Sequence, residues 1–188
     1  MPFRPEKIQV GPANLWVGVT NPSSLSFISH TAGVPGDGTL IGLTDDSTTY
    51  SYTPKRTKIM AEQFYGPVGV FLEEEDVMLE FMAKESQLAA LQPFFDSQMS
   101  SAAGYDGVFI GTGSGALPVR TQSVFFSQRH LDDATKYTIG LIYKAYCDSP
   151  FPYTMGRTKQ SAWKVTLRAI VDVSRTSPDT MSQFKVEK

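Results

Sequence analysis

Alternation of apolar and polar residues, the pattern of strands with one buried face, recurs along most of the chain. It is clearest in "KYTIGLIYKAYC" (136–147) and "WKVTLRAIVDVS" (163–174), and it continues in "PVRTQSVFFSQ" (118–128). A short apolar run, "NLWVGV" (14–19), lies between Pro12 and an Asn-Pro turn signal, which predicts a buried strand. The chain is therefore predicted to be mainly β.

The two clearest strands each present one apolar face. In the first, the residues expected to share it are Tyr137, Ile139, Leu141, Tyr143, Ala145 and Cys147. In the second, they are Trp163, Val165, Leu167, Ala169, Val171 and Val173, with Asp172 on the opposite, polar face. Cys147 is the only cysteine, so it forms no internal disulfide, and its apolar surroundings predict that it fills the core.

The segment between residues 48 and 83 predicts a hairpin and then a long strand. "TTYSYT" (48–53) is expected to pair with "RTKIMAEQFY" (56–65) across a tight connection at Pro54 and Lys55. After "GPVG", the strand is predicted to bury Val77, Leu79, Phe81 and Ala83. Four consecutive acids, residues 73–76, interrupt it, and their simplest interpretation is a solvent-exposed bend between two strand segments.

The remaining segments predict one helix and several loops or arms around a single domain, 1–188. "SQLAALQPFF" (86–95) has a capping serine and helical spacing. A long loop is expected over 20–37, an N-terminal arm over 1–10 and a C-terminal arm over 175–188.

The charge balance excludes a strongly cationic nucleic-acid-binding protein. Lysine and arginine number 17 against 19 acids, which gives a net charge of −2, whereas electrostatic binding of DNA requires clustered cations. No apolar run approaches the roughly 18 residues that would span a bilayer, and "MPFRPEKIQV" lacks the apolar region of a signal peptide. These features predict a soluble, intracellular or particle-borne protein without a membrane anchor.

No motif predicts catalysis, a metal or a cofactor. "GTGSGA" (111–116) has dinucleotide-site spacing but is followed by a proline and a β-type run where a helix should begin. His30 and His130 have no second histidine at metal-ligand spacing. His130 with Asp132 and Asp133 is expected to be a solvated turn. Consecutive acids on a strand alternate between its faces, so residues 73–76 are not expected to converge on one calcium ion.

The order of elements from Gly11 to Phe95 resembles that of bacteriophage major tail tube proteins of the long, non-contractile (siphophage) kind. "GPANLWVGV" is followed by a long loop, a "GLTDD" turn, a charged hairpin, a "GPV" step, a long strand and a short helix after "AKES". The similarity covers the first half of the chain, and the second half matches only as strands of suitable length. Gly104–Gly115 and Asp148–Ser161 depart from the simplest family members.

The resemblance implies a β-sandwich or partial barrel of tail-tube type, flanked by one short α-helix. It further implies that six copies form a ring, that inner strands join into one barrel, and that rings stack into the virion's tail tube after assembly in the host cytoplasm. The implied partners are other copies of the chain, the tape-measure, tail-tip and tail-terminator proteins, and genomic DNA that passes without sequence-specific binding. No enzyme activity and no cofactor are implied.

Within such a tube, acidic side chains suit the bore. DNA carries a negative charge about every 1.7 Å of duplex, so a lysine-rich lining would retain it. The candidate lumen-facing acids are Glu73, Glu74, Glu75, Asp76 and Glu80. An alternative for Glu80 is a salt bridge to a lysine of a neighbouring subunit. The candidate contacts between subunits or rings are Phe3, Arg4, Phe27, Ile28, Phe184 and Lys185.

Two other functions remain open at this point. The inner-tube protein of a contractile tail or secretion apparatus would share the fold class and would bind a sheath. A β-sandwich module of a tail tip that binds carbohydrate would use an aromatic platform, for which the candidates are Tyr50, Tyr52, Tyr65, Tyr153 and Trp163.

Overall fold

The structure, a computed structural model of the chain, describes residues 13–19, 37–41, 48–60, 65–83, 98–102, 105–109, 119–130, 133, 135–150, 163–175 and 180–186. In chain order, its strands are β1 (Asn14–Val17), β2 (Thr39–Leu40), β3 (Thr49–Met60), β4 (Pro67–Ala83), β5 (Gln98–Ala102), β6 (Tyr105–Phe109), β7 (Gln122–Arg129), β8 (Tyr137–Cys147), β9 (Trp163–Ala169) and β10 (Ser182–Val186). The prediction of a mainly β chain is confirmed. The predicted helix, 86–95, lies outside the described residues.

Eight of these strands form one antiparallel sheet, in the order β2-β1-β7-β8-β9-β4-β3, with β10 also paired to β8. β8 uses one edge for β7 and shares the other between β10, along its first half, and β9, at its end. Among the described strands, β5 and β6 pair only with each other, as a separate two-stranded sheet. β3 therefore lies at one end of the strand order of the main sheet.

The larger core cluster covers one face of the main sheet. Its fully buried members come from β1, β4, β7, β8, β9 and the residue after β2, and they are Leu15, Val17, Ile41, Val77, Leu79, Phe81, Ala83, Val124, Phe126, Ile142, Ala145, Val165 and Leu167. The predicted inward face of β4 is confirmed, because its four members are all in this cluster. Cys147 is half-buried and packs against it, which agrees with a core-filling role.

A second buried cluster occupies the opposite face of β1, β7 and β8. It consists of Trp16, Val19, Phe125, Ile139, Leu141 and Tyr143. The Trp16 and Phe125 rings meet edge to face with centroids 5.4 Å apart, a favourable arrangement for aromatic pairs. The central strands are therefore buried on both faces, which accounts for runs such as "SVFF" in β7 that lack alternation.

An aromatic cluster attaches β3 and β10 to the middle of the sheet. Phe126 lies over Gly140, where a β-carbon would come within 2.1 Å of the ring, so this position requires glycine. The Tyr50 ring stacks on Phe184 with centroids 5.3 Å apart and lies at the same distance from Phe126. The Tyr50 hydroxyl also makes a 2.8 Å hydrogen bond with Ser182.

The C-terminal segment corrects one expectation. The sequence predicts an arm over 175–188, but Ser182–Val186 forms β10 and pairs with β8 along its whole length. The strand escapes a pattern-based prediction because its buried position is held by a polar residue, Gln183, while Phe184 is half-exposed. β10 is therefore part of the main sheet.

The predicted hairpin across Pro54 and Lys55 is wrong. Both residues lie within β3, which runs unbroken from Thr49 to Met60 and pairs with β4 instead. Proline removes one backbone donor, and edge strands tolerate that loss because one of their sides has no ladder to complete. β3 is such a strand among the described residues, so Pro54 does not end it.

The predicted apolar face of β8 is correct only as far as Tyr143. Ile139, Leu141 and Tyr143 belong to the second cluster, but Ala145 packs in the first, together with Ile142. The ladder with β7 shifts register at this point. A bulge inserts one extra residue into a strand, so the side chains beyond it exchange faces.

The alternation over 163–174 outlasts the strand that it predicts. β9 ends at Ala169, and Val173 beyond it is 88% exposed. Asp172, expected on a polar surface, is only 3% exposed. The chain turns there, since the Asp172 amide donates to the carbonyl of Thr180 and the Arg175 amide donates to the carbonyl of Asp172.

Candidate functional site

The β3–β4 hairpin is much longer than the sheet that carries it. The two strands pair from Thr49↔Glu80 to Met60↔Pro67, whereas β9 pairs with β4 only over Met78–Ala83. The ten residues Pro67–Asp76 span about 33 Å at about 3.3 Å per residue. We call residues 53–60 and 65–76 the distal hairpin.

No residue of the distal hairpin is buried. Its exposed apolar side chains are Ile59, Met60, Tyr65, Val68, Val70, Phe71 and Leu72. On β4 the side chains of Val70 and Leu72 lie on one face and that of Phe71 on the other, because the strand alternates. This group of exposed apolar side chains on one element makes the distal hairpin the candidate interaction surface of the described residues.

A bulge gathers two of the four consecutive acids around one lysine. The ladder steps from Lys55↔Glu74 to Arg56↔Leu72, which leaves Glu73 as the extra residue. Lys55 Nζ lies 3.5 Å from Glu73 Oε2 and 3.7 Å from Glu74 Oε2. Thr57 Oγ1 donates to Glu73 at 2.8 Å. The acids therefore lie in a continuous strand with an irregular register, and the bend expected from the sequence does not form.

Asp76 and Glu80 lie on the same face as Lys55 and form ion pairs with β9. Arg168 is 3.6 Å from Asp76 through Nη1, and Lys164 Nζ is 3.0 Å from Glu80 Oε1. The Lys164 ammonium holds the pKa of Glu80 below its usual range, and a hydrogen bond from Thr166 assists. The lysine that pairs with Glu80 thus belongs to the same chain.

Glu75 lies on the opposite face of the hairpin from the other acids. The Tyr52 hydroxyl donates a hydrogen bond to its Oε1. This bond and the nearby carboxylate raise the pKa of Tyr52. Of the five candidate lumen-facing acids, four therefore share one face and Glu75 does not.

The candidate contact residues fall in different places. Phe184 packs on Tyr50 within the chain and remains 49% exposed, and Lys185 is a residue of β10 paired with Ile139. The other candidates, Phe3, Arg4, Phe27 and Ile28, lie outside the described residues.

Of the five aromatic residues proposed as a platform for carbohydrate, the structure describes the side chains of three. Tyr50 has one ring face against Phe184, Tyr52 is bonded to Glu75, and Tyr65 is at the tip of the hairpin. Tyr153 lies outside the described residues.

The described residues contain no cluster of three or more His, Cys, Asp or Glu side chains suited to a metal ion. His130 Nε2 is 3.1 Å from Thr138 Oγ1. Asp133 accepts hydrogen bonds from the hydroxyl and the amide of Thr135 and pairs with Lys136, which together lower its pKa to about 2. These contacts are those of a hydrogen-bonded turn. Nor do the described residues include a helix long and apolar enough to span a membrane.

The sequence pattern does not predict the long β3–β4 hairpin. Two signals of it are present: no true turn lies between residues 49 and 60, and the charges are divided, since β3 carries cations and β4 carries acids. Because proline is unfavourable within most strands, Pro54 predicts two short strands in place of β3, and the long hairpin is then not predicted.

No known protein-family model matches the chain, and no curated protein is similar enough to it to count as a relative. The function proposed below is therefore inferred from the described residues, their geometry and the resemblance of residues 11–95.

Proposed function

We propose that the chain is a structural subunit that polymerises into a tube, as the major tail tube protein of a long-tailed phage does. The observation that carries this proposal is the distal hairpin, which extends about 33 Å from the body with apolar side chains on both faces. The resemblance of residues 11–95 to tail tube proteins supplies the class of assembly.

The backbone edges of the hairpin also lack partner strands among the described residues. Within the described residues, the outer edge of β3 pairs with no strand, and neither does the β9-side edge of β4 over Pro67–Val77. A two-stranded hairpin is only marginally stable alone in water, and a long exposed edge tends to associate with other strands. Closure of several copies into a ring satisfies both edges.

The faces of the hairpin suggest which side meets the bore. At its base, Leu79 and Val77 point into the core of the body, so the opposite face points away from it. In a ring closed by these hairpins, that opposite face lines the channel. The rest of each chain then lies outside this ring of hairpins and is folded as a β-sandwich or partial barrel of tail-tube type.

The lining would be mixed in charge with a modest acidic excess. The described ion pairs on this face join the cations Lys55, Lys164 and Arg168 to the acids Glu73, Glu74, Asp76, Glu80 and Asp148. Every cation on this list is already paired with an acid, so phosphates gain little by displacing its partner. Such a surface lets DNA, or a tape-measure protein during assembly, slide along the bore.

Negative-stain electron microscopy of purified, concentrated protein tests the proposal. We expect rings or stacked hollow tubes, together with high-molecular-weight species in analytical ultracentrifugation. A protein that stays monomeric over the full accessible concentration range, with and without a crowding agent, contradicts it. A glycan array serves as the parallel assay, because binding there would favour the carbohydrate module instead. Co-sedimentation of the tubes with a sheath protein would indicate the inner tube of a contractile apparatus.

A further inference from the structure

The charges of the β3–β4 hairpin are segregated by strand. Residues 48–60 contain three cations, Lys55, Arg56 and Lys58, and no acid. Residues 65–83 contain five acids, Glu73 to Asp76 and Glu80, and no lysine or arginine. One side of the hairpin is therefore a cationic strand and the other is an acidic strand.

We propose that the cationic β3 edge of one copy pairs with the acidic β4 edge of the next, so that charge complementarity selects the interface. This inference rests on the proposed function, since it names the partner strand within the tube. The contact is heterologous, because two different edges meet, and heterologous contacts generate rings when the rotation closes. Hairpins related by such a rotation all point the same way, so each β3 runs antiparallel to the neighbouring β4.

The geometry within one copy shows why a second cationic strand fits. Lys55 is shared between Glu73 and Glu74 at 3.5 and 3.7 Å, so two carboxylates are served by one ammonium group. Neighbouring strands lie about 4.8 Å apart on either side of β4. A second β3 on the open side, paired in the same register, places the Lys55 of the next copy beside the same acids. Glu73 and Glu74 then lie between two lysines on one face, and Glu75 shares the other face with Arg56 and Lys58.

The apolar residues are arranged to support the same pairing. On β3 the exposed Ile59 and Met60 follow the cations towards the tip, and on β4 the exposed Val70, Phe71 and Leu72 precede the acids. In an antiparallel pair, apolar residues therefore meet near the tip and opposite charges meet nearer the body. A contact between two β3 edges or two β4 edges brings like charges together, which is destabilising.

A charge-swap experiment tests this edge pairing. The triple variant Lys55→Glu, Arg56→Glu, Lys58→Glu has two acidic edges, and the triple variant Glu73→Lys, Glu74→Lys, Glu75→Lys has two basic edges. We expect each alone to need at least about tenfold more protein than the wild type to assemble, because every copy-to-copy contact is now repulsive. An equimolar mixture should need at least about threefold less protein to assemble than either variant alone, since opposite charges then meet at each contact between copies while like charges stay within each hairpin.

The matched control is Lys55→Arg, Arg56→Lys, Lys58→Arg, which alters the same positions but keeps the charge and should assemble as the wild type does. Circular dichroism and thermal unfolding of the monomers check that each variant is folded. If a reversed variant is unfolded, the neutral triple Lys55→Gln, Arg56→Gln, Lys58→Gln replaces it, with reduced assembly as the expected result. Light scattering against protein concentration gives the readout.

The outcomes separate this inference from the proposed function. Wild-type protein that forms tubes while both reversed variants do so equally well overturns the edge pairing and leaves the tube intact. A mixture that assembles no better than either reversed variant alone also overturns it. Wild-type protein that never assembles overturns the tube and the pairing together.

Discussion

The two halves of β4 differ in almost every physical respect, although they belong to one unbroken strand. Leu79, near its end, is fully buried in the larger core cluster, whereas Leu72 is 47% exposed on the distal hairpin. Among the described strands, the first half has one neighbour and the second has two. The central strands are thus covered on both faces within the described residues, while the distal hairpin has apolar side chains exposed on both of its faces.

This comparison predicts the largest difference for identical substitutions in the two halves. Leu79→Ala should lower the free energy of unfolding of the monomer by about 2–5 kcal/mol, because it leaves a cavity in the core. Leu72→Ala should change it by less than about 0.5 kcal/mol, because the side chain is half in water. Urea denaturation below the assembly concentration measures both. Equal losses would show that the distal hairpin is packed within the monomer.

A second pair of substitutions compares glycines. Gly140→Ala should cost about 1–3 kcal/mol, because the new β-carbon would lie 2.1 Å from the Phe126 ring. Gly69→Ala in the hairpin meets only Ile59 at 3.4 Å and should change stability by less than about 0.5 kcal/mol. The double change Gly140→Ala, Phe126→Leu should recover part of the loss. A stable Gly140→Ala protein without this second change would contradict the close approach of the two residues.

Acid should weaken a contact of the body that involves Asp172. Lys144 Nζ lies 2.8 Å from Asp172 Oδ1 and Ser174 donates two hydrogen bonds to the same oxygen, and these contacts lower the pKa of Asp172 to about 2. A folded-state pKa below the unfolded value of about 3.8 stabilises the protein fully above that value. The contribution is lost as the pH falls from about 4 towards 2.

Thermal unfolding of the wild type and Asp172→Asn at a series of pH values measures this contribution. At pH 7 the variant should melt at the lower temperature. The two melting curves should converge as the pH falls towards 2. A difference that does not depend on pH would mean that the carboxylate charge is not the cause.

The smallest effect is expected for the ion pairs of the distal hairpin. Lys55 and Glu74 are more than half exposed and 3.7 Å apart, and exposed pairs contribute about 0–1 kcal/mol. A double-mutant cycle with Lys55→Ala and Glu74→Ala in the monomer should give a coupling energy in that range. A larger coupling would place these residues in a drier environment than the monomer provides.

Several elements could be predicted because their patterns reflect local chemistry. β1, β7 and the inward face of β4 followed from short apolar runs and alternation, and the predicted mainly β class is correct. The predictions that failed share another cause. The β8 bulge, the end of β9 at Ala169 and the buried Asp172 each depend on a partner far away in the sequence, which alternation alone does not reveal.

The candidate site likewise combines features that the sequence predicts with features that only the tertiary structure reveals. The sequence identified the acidic run and its strand, but it placed consecutive acids on alternate faces. A bulge opposite Lys55 and Arg56 brings Glu73 and Glu74 to the same lysine instead. Pro54 was expected to mark a turn, yet it lies inside an edge strand, where a missing amide donor is tolerated.

The sequence by itself determined which strands are apolar enough to form a core and which carry cations or acids, because burial and charge are properties of the side chains. Only the tertiary structure decided that the cationic and acidic strands form one hairpin and that its distal half leaves the body. Strand pairing depends on contacts between residues remote along the chain, and a single inserted residue changes which face each side chain meets.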